Sequence, residues 1–445
     1  MRRKLIIWVA VIAIIFLIAV AAGLAVFYSP LLTRYIESNA FRQAMERETA
    51  KALHFPESHF SPIRRTSLFA AQSDSFEARN GNKAMKSLDG RSIKARFDPL
   101  GVFLRQWRFT DVHVQSGNVE IQIYKANPEA VTPKPWFAIF LPNTVHMQRI
   151  ESDHANITWQ FRGERAGFLG TALLITPHGP DFEYVATNGK LKMALLPDLD
   201  LRRAHLLITK TLLTIYDIDL ASDSGSDESI HAQANAGIGK DKSVDLRANF
   251  SRVPIRAWLP AKWKEHLAGS ASGNLHWAGK DPKLESSSGE GSLNVSSGRI
   301  DNLPFLQKLA ELAQKKSFEH LELDQCSLGF GWQYPKIDVN EIAIEQRGKF
   351  RIEGEISVDQ RRLRGSIKLG LAREYLDWLP DPEDVFSRKQ DGYLWTNVHL
   401  SGTIDNPGQD LSPRIIDLFK QSPGAYLQLL FRQFESWLKR AFGGD

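Results

Sequence analysis

Apolar and polar residues alternate with a period of two through most of this chain. In "FRIEGEISVD" one side carries Phe350, Ile352, Ile356 and Val358, and the other Arg351, Glu353, Glu355, Ser357 and Asp359. "LRGSIKLGL" repeats the pattern with Leu363, Ile367 and Leu369, and "LWTNVHLSGTI" with Val398 and Leu400. Earlier runs place Val119, Ile121 and Ile123, and then Val244, Leu246 and Phe250, in the same alternating phase. Successive side chains of a strand point to opposite faces, so each run predicts a strand with one apolar and one wet face. From about residue 91 such runs follow one another, which predicts a mainly β chain of antiparallel strands with a few helices.

The punctuation between the runs fits hairpins. Ser116-Gly117-Asn118, Asn188-Gly189, Ser297-Gly298 and Arg347-Gly348 are turn sequences at hairpin spacing. Residues 54–90, with Pro56, Pro62, Asn80, Gly81 and many serines, lose the alternation and predict loops. Helical spacing predicts helices over 31–53, lying at a membrane surface, near Ile255–Leu259, over 302–316, near Arg373–Leu379, and as a pair over 412–421 and 425–441. In the last of these, Tyr426, Leu430, Phe434, Trp437 and Leu438 form a broad apolar arc. Such an arc suits a lipid surface or the closing of an open sheet edge.

Leu5 to Phe27, including Trp8 and Phe16, carries no charge and follows Arg2, Arg3 and Lys4. A helix of that length reaches roughly 35 Å, enough to cross a bilayer core of about 30 Å. The basic start predicts a single-pass anchor with a cytoplasmic N-terminus and everything after Tyr28 outside. Cleavage as a signal peptide near Ala19-Val20-Ala21 is the alternative. The expected organisation is an anchor over 1–28, a juxtamembrane helix and loop over 29–90, a β body over 91–410 and amphipathic helices over 411–445.

Charge and chemistry narrow the reading further. Lys and Arg total 56 against 51 Asp and Glu; setting aside Arg2, Arg3 and Lys4 leaves 53 against 51. A body so close to neutral disfavours nucleic acid as a partner. The single cysteine, Cys326, precludes an internal disulfide and reads as a packed thiol in phase with Leu328, Phe330 and Trp332. The twelve histidines fall in no metal-ligating motif, and "GSASG" has Ala271 where a nucleophile elbow needs serine. "GEGSLN" and "GFGWQY" lack the third glycine of a phosphate cradle. Asp217, Asp219, Asp223, Asp227 and Glu228 cluster without the spacing of a calcium loop. Trp107, Trp159, Trp277, Trp332 and Trp395 lie within predicted strands, as core or groove lining. No catalytic residue, cofactor or metal is expected, and the chain reads as a non-enzyme.

The order of parts carries a resemblance. The anchor and juxtamembrane helix are followed by "SIKARFDPLGVFLRQWRFTDVHVQSGNVEIQIY", then "VDLRANFSRVPIRAWLPAKWKEHLAGSASGNLHWAG", "GSLNVSSGRIDNLPFLQKLAEL" and, near the end, "HLSGTIDNPGQDLSP". Over most of residues 1–415 this resembles the AsmA-like family of membrane-anchored envelope proteins, relatives of bridge-like lipid transfer proteins. The resemblance implies a long twisted sheet curled into a U-shaped groove capped by short helices, in a periplasmic protein of the inner membrane. It further implies phospholipid movement between membranes and support of outer-membrane integrity, with no catalytic residues to carry over. The apolar stripe formed by Val119, Ile121, Ile123, Val244, Leu246, Phe250, Phe350, Ile352, Ile356, Val358, Leu363, Ile367, Leu369, Val398 and Leu400 is the expected lining. Its partners would be the phospholipid bilayer and acyl chains. The second reading is a non-catalytic scaffold or assembly factor, in which the stripes close a β-sandwich and the protein acts through other envelope proteins.

Overall fold

The computed structural model describes residues 30–31, 33–82, 85–98, 101, 107–122, 145–161, 163–179, 181–194, 196–209, 211–222, 227–238, 241–259, 261–281, 283–302, 307, 310, 316–404 and 406–421. The expected anchor with Leu5, Trp8, Phe16 and Phe27, the stripe residue Ile123, most of the 302–316 helix and the helix over 425–441 lie outside them. No helix among the described residues is long and apolar enough to cross a membrane. The fold is mainly β, with few helices, and divides into two compact units after Ala194.

The first unit contains β1 (Glu57–Phe60), β2 (Arg64–Ser67), β3 (Ala70–Arg79), β4 (Met85–Phe97), β5 (Trp107–Ile121), β6 (Val145–Met147), β7 (Ile150–Phe161), β8 (Glu164–His178), β9 (Asp181–Thr187) and β10 (Lys190–Lys192). Strands therefore begin at Glu57, inside the stretch expected to be loops. The reason is composition: β3 buries Ala71, Ser73, Phe76 and Ala78, residues mostly too small to raise a hydrophobic signal. A second departure concerns direction. β3, β4 and β5 run antiparallel in order, but β5 pairs in parallel with β6 and β7, making the sheet mixed. Ser116-Gly117-Asn118 is no turn; it runs through the middle of β5, paired to β4 and β7.

One helix, Asn39–Leu53, packs on this sheet. The hydroxyl of Ser38 accepts a hydrogen bond from the Phe41 amide at 3.2 Å, which caps a new helix where a continuous one over 31–53 was expected. His54 ends the helix in the left-handed conformation at φ 61. Phe41 packs with Ile36 and Ala71, and Ala50 and Leu53 pack with Phe55 and Phe76. The apolar face expected at a lipid surface is thus turned onto the sheet.

The second unit contains β11 (Leu199–Ile208), β12 (Leu212–Ala221), β13 (Ser229–Gly237), β14 (Val244–Pro254), β15 (Leu267–Gly279), β16 (Ser287–Asp301), β17 (His320–Leu323), β18 (Gln325–Gln333), β19 (Lys336–Gln346), β20 (Phe350–Asp359), β21 (Arg362–Ala372), β22 (Arg388–Gln390), β23 (Tyr393–Gly402) and β24 (Pro407–Gln409). Neighbours pair antiparallel in the order β11-β12-β13-β14-β15-β16-β18-β19-β20-β21-β23, with the short β17, β22 and β24 beside β16, β23 and β23.

Bulges interrupt this ladder where the alternation slips. The register shifts between Ile215 and Ile218, between Phe250 and Val253 with Arg252 at φ 54, and between Val339 and Ile342 with Glu341 at φ 51. Ser297-Gly298, expected as a hairpin turn, is another: β16 gains a residue there against β15 and continues to Asp301, with Ser297 at φ 49. An extra residue would send every later side chain to the opposite face of a straight strand. A bulge absorbs it and bends and twists the strand.

Candidate functional site

The ladder of the second unit aligns the stripes across strands. Starting from Leu246 on β14, the directly opposed residues on successive strands are Trp277, Gly289, Trp332, Ile337, Val358 and Leu363. The next row is Ala248, Leu275, Gly291, Phe330, Val339, Ile356, Gly365 and Leu400. Directly opposed residues share a face, so Val244, Leu246, Phe250, Phe350, Ile352, Ile356, Val358, Leu363, Ile367, Leu369, Val398 and Leu400 all stand on one side of one sheet. Val119 and Ile121 belong to the first unit, opposite Leu88 and Met85 of β4 and Ile157 and Trp159 of β7.

The bulges enlarge this face beyond the strict alternation. Val253 pairs with Ala271 and Ile342 with Gly354, so both return to the apolar side three residues after Phe250 and Val339. The available signal was an apolar pair spaced by three inside a period-two run.

From β11 to β23 ten ladder steps span about 48 Å, and Val244 to Phe250 covers about 20 Å along a strand. That is on the order of 1000 Å² of nearly continuous apolar face, where a monomer rarely exposes more than a few hundred. Most of its large side chains, among them Leu246, Phe250, Ile352, Ile356, Val358, Ile367 and Leu369, are only half-buried, and Ile337 is 46% exposed. Among the described residues a second layer is present at one end alone. There the segment Arg373–Phe386 and the helix Leu411–Gln421 bring Leu376, Leu379, Phe386 and Leu418 onto Phe350, Leu371 and Leu394, with Ile344, Ile352 and Leu369 packed against the same cluster, and Phe386 is 1% exposed.

The opposite face is polar. Glu353 opposes Lys368, Ser357 opposes Arg364 and Asp359 opposes Arg362, while Arg351 pairs with Glu353 at 2.7 Å. Exposed pairs of this kind add little stability, but they keep that face in water. On the apolar side the indole nitrogens of Trp277 and Trp332 are buried with no hydrogen-bond partner among the described residues. Such donors usually find an acceptor. Trp395, by contrast, opposes Gly370 from the polar side and donates to the Gln390 carbonyl at 3.1 Å.

Polar groups converge at one further place in this unit, a cleft of about 680 Å³ lined by Arg256, Glu265, Arg299, Asp301, His320 and Glu322 among others. Burial opposes the charge on Asp301, but hydrogen bonds from His320 at 3.0 Å and Arg299 at 2.7 Å outweigh it and hold the carboxyl below its usual range. Cys326 opposes Ile344 on the apolar face, and burial pushes its thiol up. Asp217 and Asp219 stand on β12 opposite His205 and Arg203, apart from the tip 223–226, which lies outside the described residues. No group of three or more metal-ligating side chains occurs among the described residues.

Compared with protein-family models, curated proteins and solved structures, the chain matches none.

Proposed function

We propose that this chain is a membrane-anchored periplasmic protein of the AsmA-like kind, whose curled sheet binds or conducts phospholipid acyl chains between membranes and so supports outer-membrane integrity. Residues 1–28 would hold it in the inner membrane, with the N-terminus in the cytoplasm. The reading asks no catalysis and no cofactor of the chain. One observation carries it: the register-aligned apolar face of the second unit is half-buried over most of its length and, among the described residues, has a second protein layer at one end only. Each methylene of an acyl chain laid there would contribute about 0.8 kcal/mol, and the bulges favour the curvature a groove needs.

The test is native mass spectrometry with lipid extraction on the segment from residue 30 onward, purified from cells without detergent. Near-stoichiometric phospholipid, lost when a bulky polar residue replaces Ile356 on the uncovered part of the face, is the expected result. A lipid-free mass with a sharp unfolding transition would overturn the reading in favour of a scaffold that meets other proteins.

A further inference from the structure

The polar cleft of about 680 Å³ holds one group that the fold does not satisfy. It lies where β16, the short β17 and the end of β19 come together near the helix Ile255–Trp258, and no residue of the apolar stripe lines it. Gln346, the last residue of β19, lines it at 8% exposure, and its side-chain oxygen is buried with no hydrogen-bond partner among the described residues. The backbone there is fixed: Gln346 opposes Phe350 in the ladder, and its carbonyl accepts from the Lys349 amide at 3.0 Å. Folded proteins rarely leave such an acceptor unpaired, because it gives up water and gains nothing in return. A donor from outside the chain would complete it.

The charges around Gln346 narrow what brings that donor. Arg256, Arg299 and Lys349 line the cleft together with Glu265, Asp301 and Glu322, so with His320 neutral the described wall carries no net charge. Arg299 and His320 are already engaged by Asp301, at 2.7 and 3.0 Å. Lys349, Glu265 and Glu322 form no ion pair among the described residues, and Arg256 gives its Nε to the Leu267 carbonyl at 3.3 Å. A simple anion would meet the free carboxylates and a simple cation the free bases, so neither gains from a balanced wall. A hydroxyl suits every one of these groups, since it donates to Gln346, Glu265 or Glu322 and accepts from Lys349 or Arg256. Several hydroxyls on one small frame can do so together, and the volume falls within the roughly 300–1,000 Å³ of small-molecule sites.

We infer that this cleft is a binding site for a neutral polyhydroxylated molecule, a sugar, with the Gln346 carboxamide taking a hydroxyl donor and the flanking acids and bases completing the hydrogen bonds. The inference uses no residue of the apolar stripe, so it and the proposed function stand or fall separately.

The experiment places the full chain in phosphatidylcholine vesicles with equimolar glucose, galactose, mannose and N-acetylglucosamine. Saturation-transfer difference NMR reads which sugar touches the protein, and transfer to the ring protons of at least one is the expected result. Gln346→Leu keeps much of the side chain's bulk and removes its amide, and should raise that sugar's dissociation constant about tenfold, the loss of one hydrogen bond. Glu322→Ala, at an exposed position, should weaken binding to a similar extent. Circular dichroism reports whether each variant folds, and if Gln346→Leu does not, Glu322→Ala carries the test. No transfer from any of the four sugars, or transfer that the folded variant leaves unchanged, overturns the inference. So does displacement of the sugar by equimolar phosphate or glycine, which would mean that the cleft selects charge. None of these outcomes bears on lipid at the apolar face.

Discussion

Trp332 on β18 and Gly289 on β16 stand directly opposite each other, and the indole ring fills the space that a side chain at 289 would need. The arrangement recurs along the apolar face. Phe330 reaches to 2.7 Å from where a Cβ of Gly291 would stand, and Phe250 to 2.9 Å from that of Gly273. These strand glycines let the aromatic rings of the neighbouring strand lie close against the sheet. Gly289→Val should therefore displace Trp332 and cost about 2 kcal/mol, as overpacking does. Urea unfolding would give the loss, and tryptophan emission should shift to the red as the ring moves into water. Unchanged emission would mean that the ring does not depend on the glycine.

The open and the covered parts of the apolar face should respond differently to mutation. Phe386 belongs to the second layer and is buried with Leu376 and Leu379 against the sheet, so Phe386→Ala should cost about 3–5 kcal/mol through the cavity it leaves. Ile356 is only half-buried and stands outside the cluster beneath the second layer. A lysine there can extend its stem along the face and keep its charge wet, so Ile356→Lys should cost about 1 kcal/mol, near the mean for a point substitution. Chemical denaturation of the two variants decides the matter. Equal and severe losses would indicate that Ile356 is enclosed, as in a sandwich core.

Much of this was legible in the sequence, and what was missed has physical reasons. The stripes on β20, β21 and β23 keep strict period two because Phe350–Asp359 and Arg362–Ala372 pair without a register shift. The bulge at Ser297 looks like a turn in the sequence because serine before glycine suits both, and only the continuing pairing of Ile300 with Leu267 separates them. β3 was missed because Ala71, Ser73 and Ala78 bury little apolar area each. The parallel pairing of β5 with β7 and the packing of the helix Asn39–Leu53 on the sheet are matters of tertiary packing, which a local pattern does not carry.

Asp301 gives a dependence on acid. Its carboxyl is held below the usual range in the folded chain, so folding favours the ionised form. That contribution is complete above the unfolded value of about 3.9 and is lost as pH falls below it, through the folded value. Asp301→Asn removes the titrating group and leaves Arg299 and His320 without their anion. The stability gap between native and variant chains should be widest near neutral pH and should narrow below about pH 4. Urea midpoints measured from pH 7 to pH 3 test this, and a constant gap would contradict it.

Cys326 offers a reporter on the apolar face itself. Burial pushes its thiol above the ordinary value, and the reactive species is the thiolate. Alkylation by N-ethylmaleimide at pH 7 should therefore be slower than for a free thiol. Between pH 7 and pH 9 it should climb about tenfold per unit without a plateau, because the thiolate stays the minor form. A plateau near pH 8 would mean that the thiol is solvated and the side chain lies off the packed surface. Since Cys326 opposes Ile344 in the same ladder that carries Ile352 and Leu369, chains lying on that face would shield it. On the proposed function, protein that carries lipid on isolation should react more slowly than the same protein after extraction, with the pH slope unchanged. Equal rates before and after extraction would count against lipid on this face.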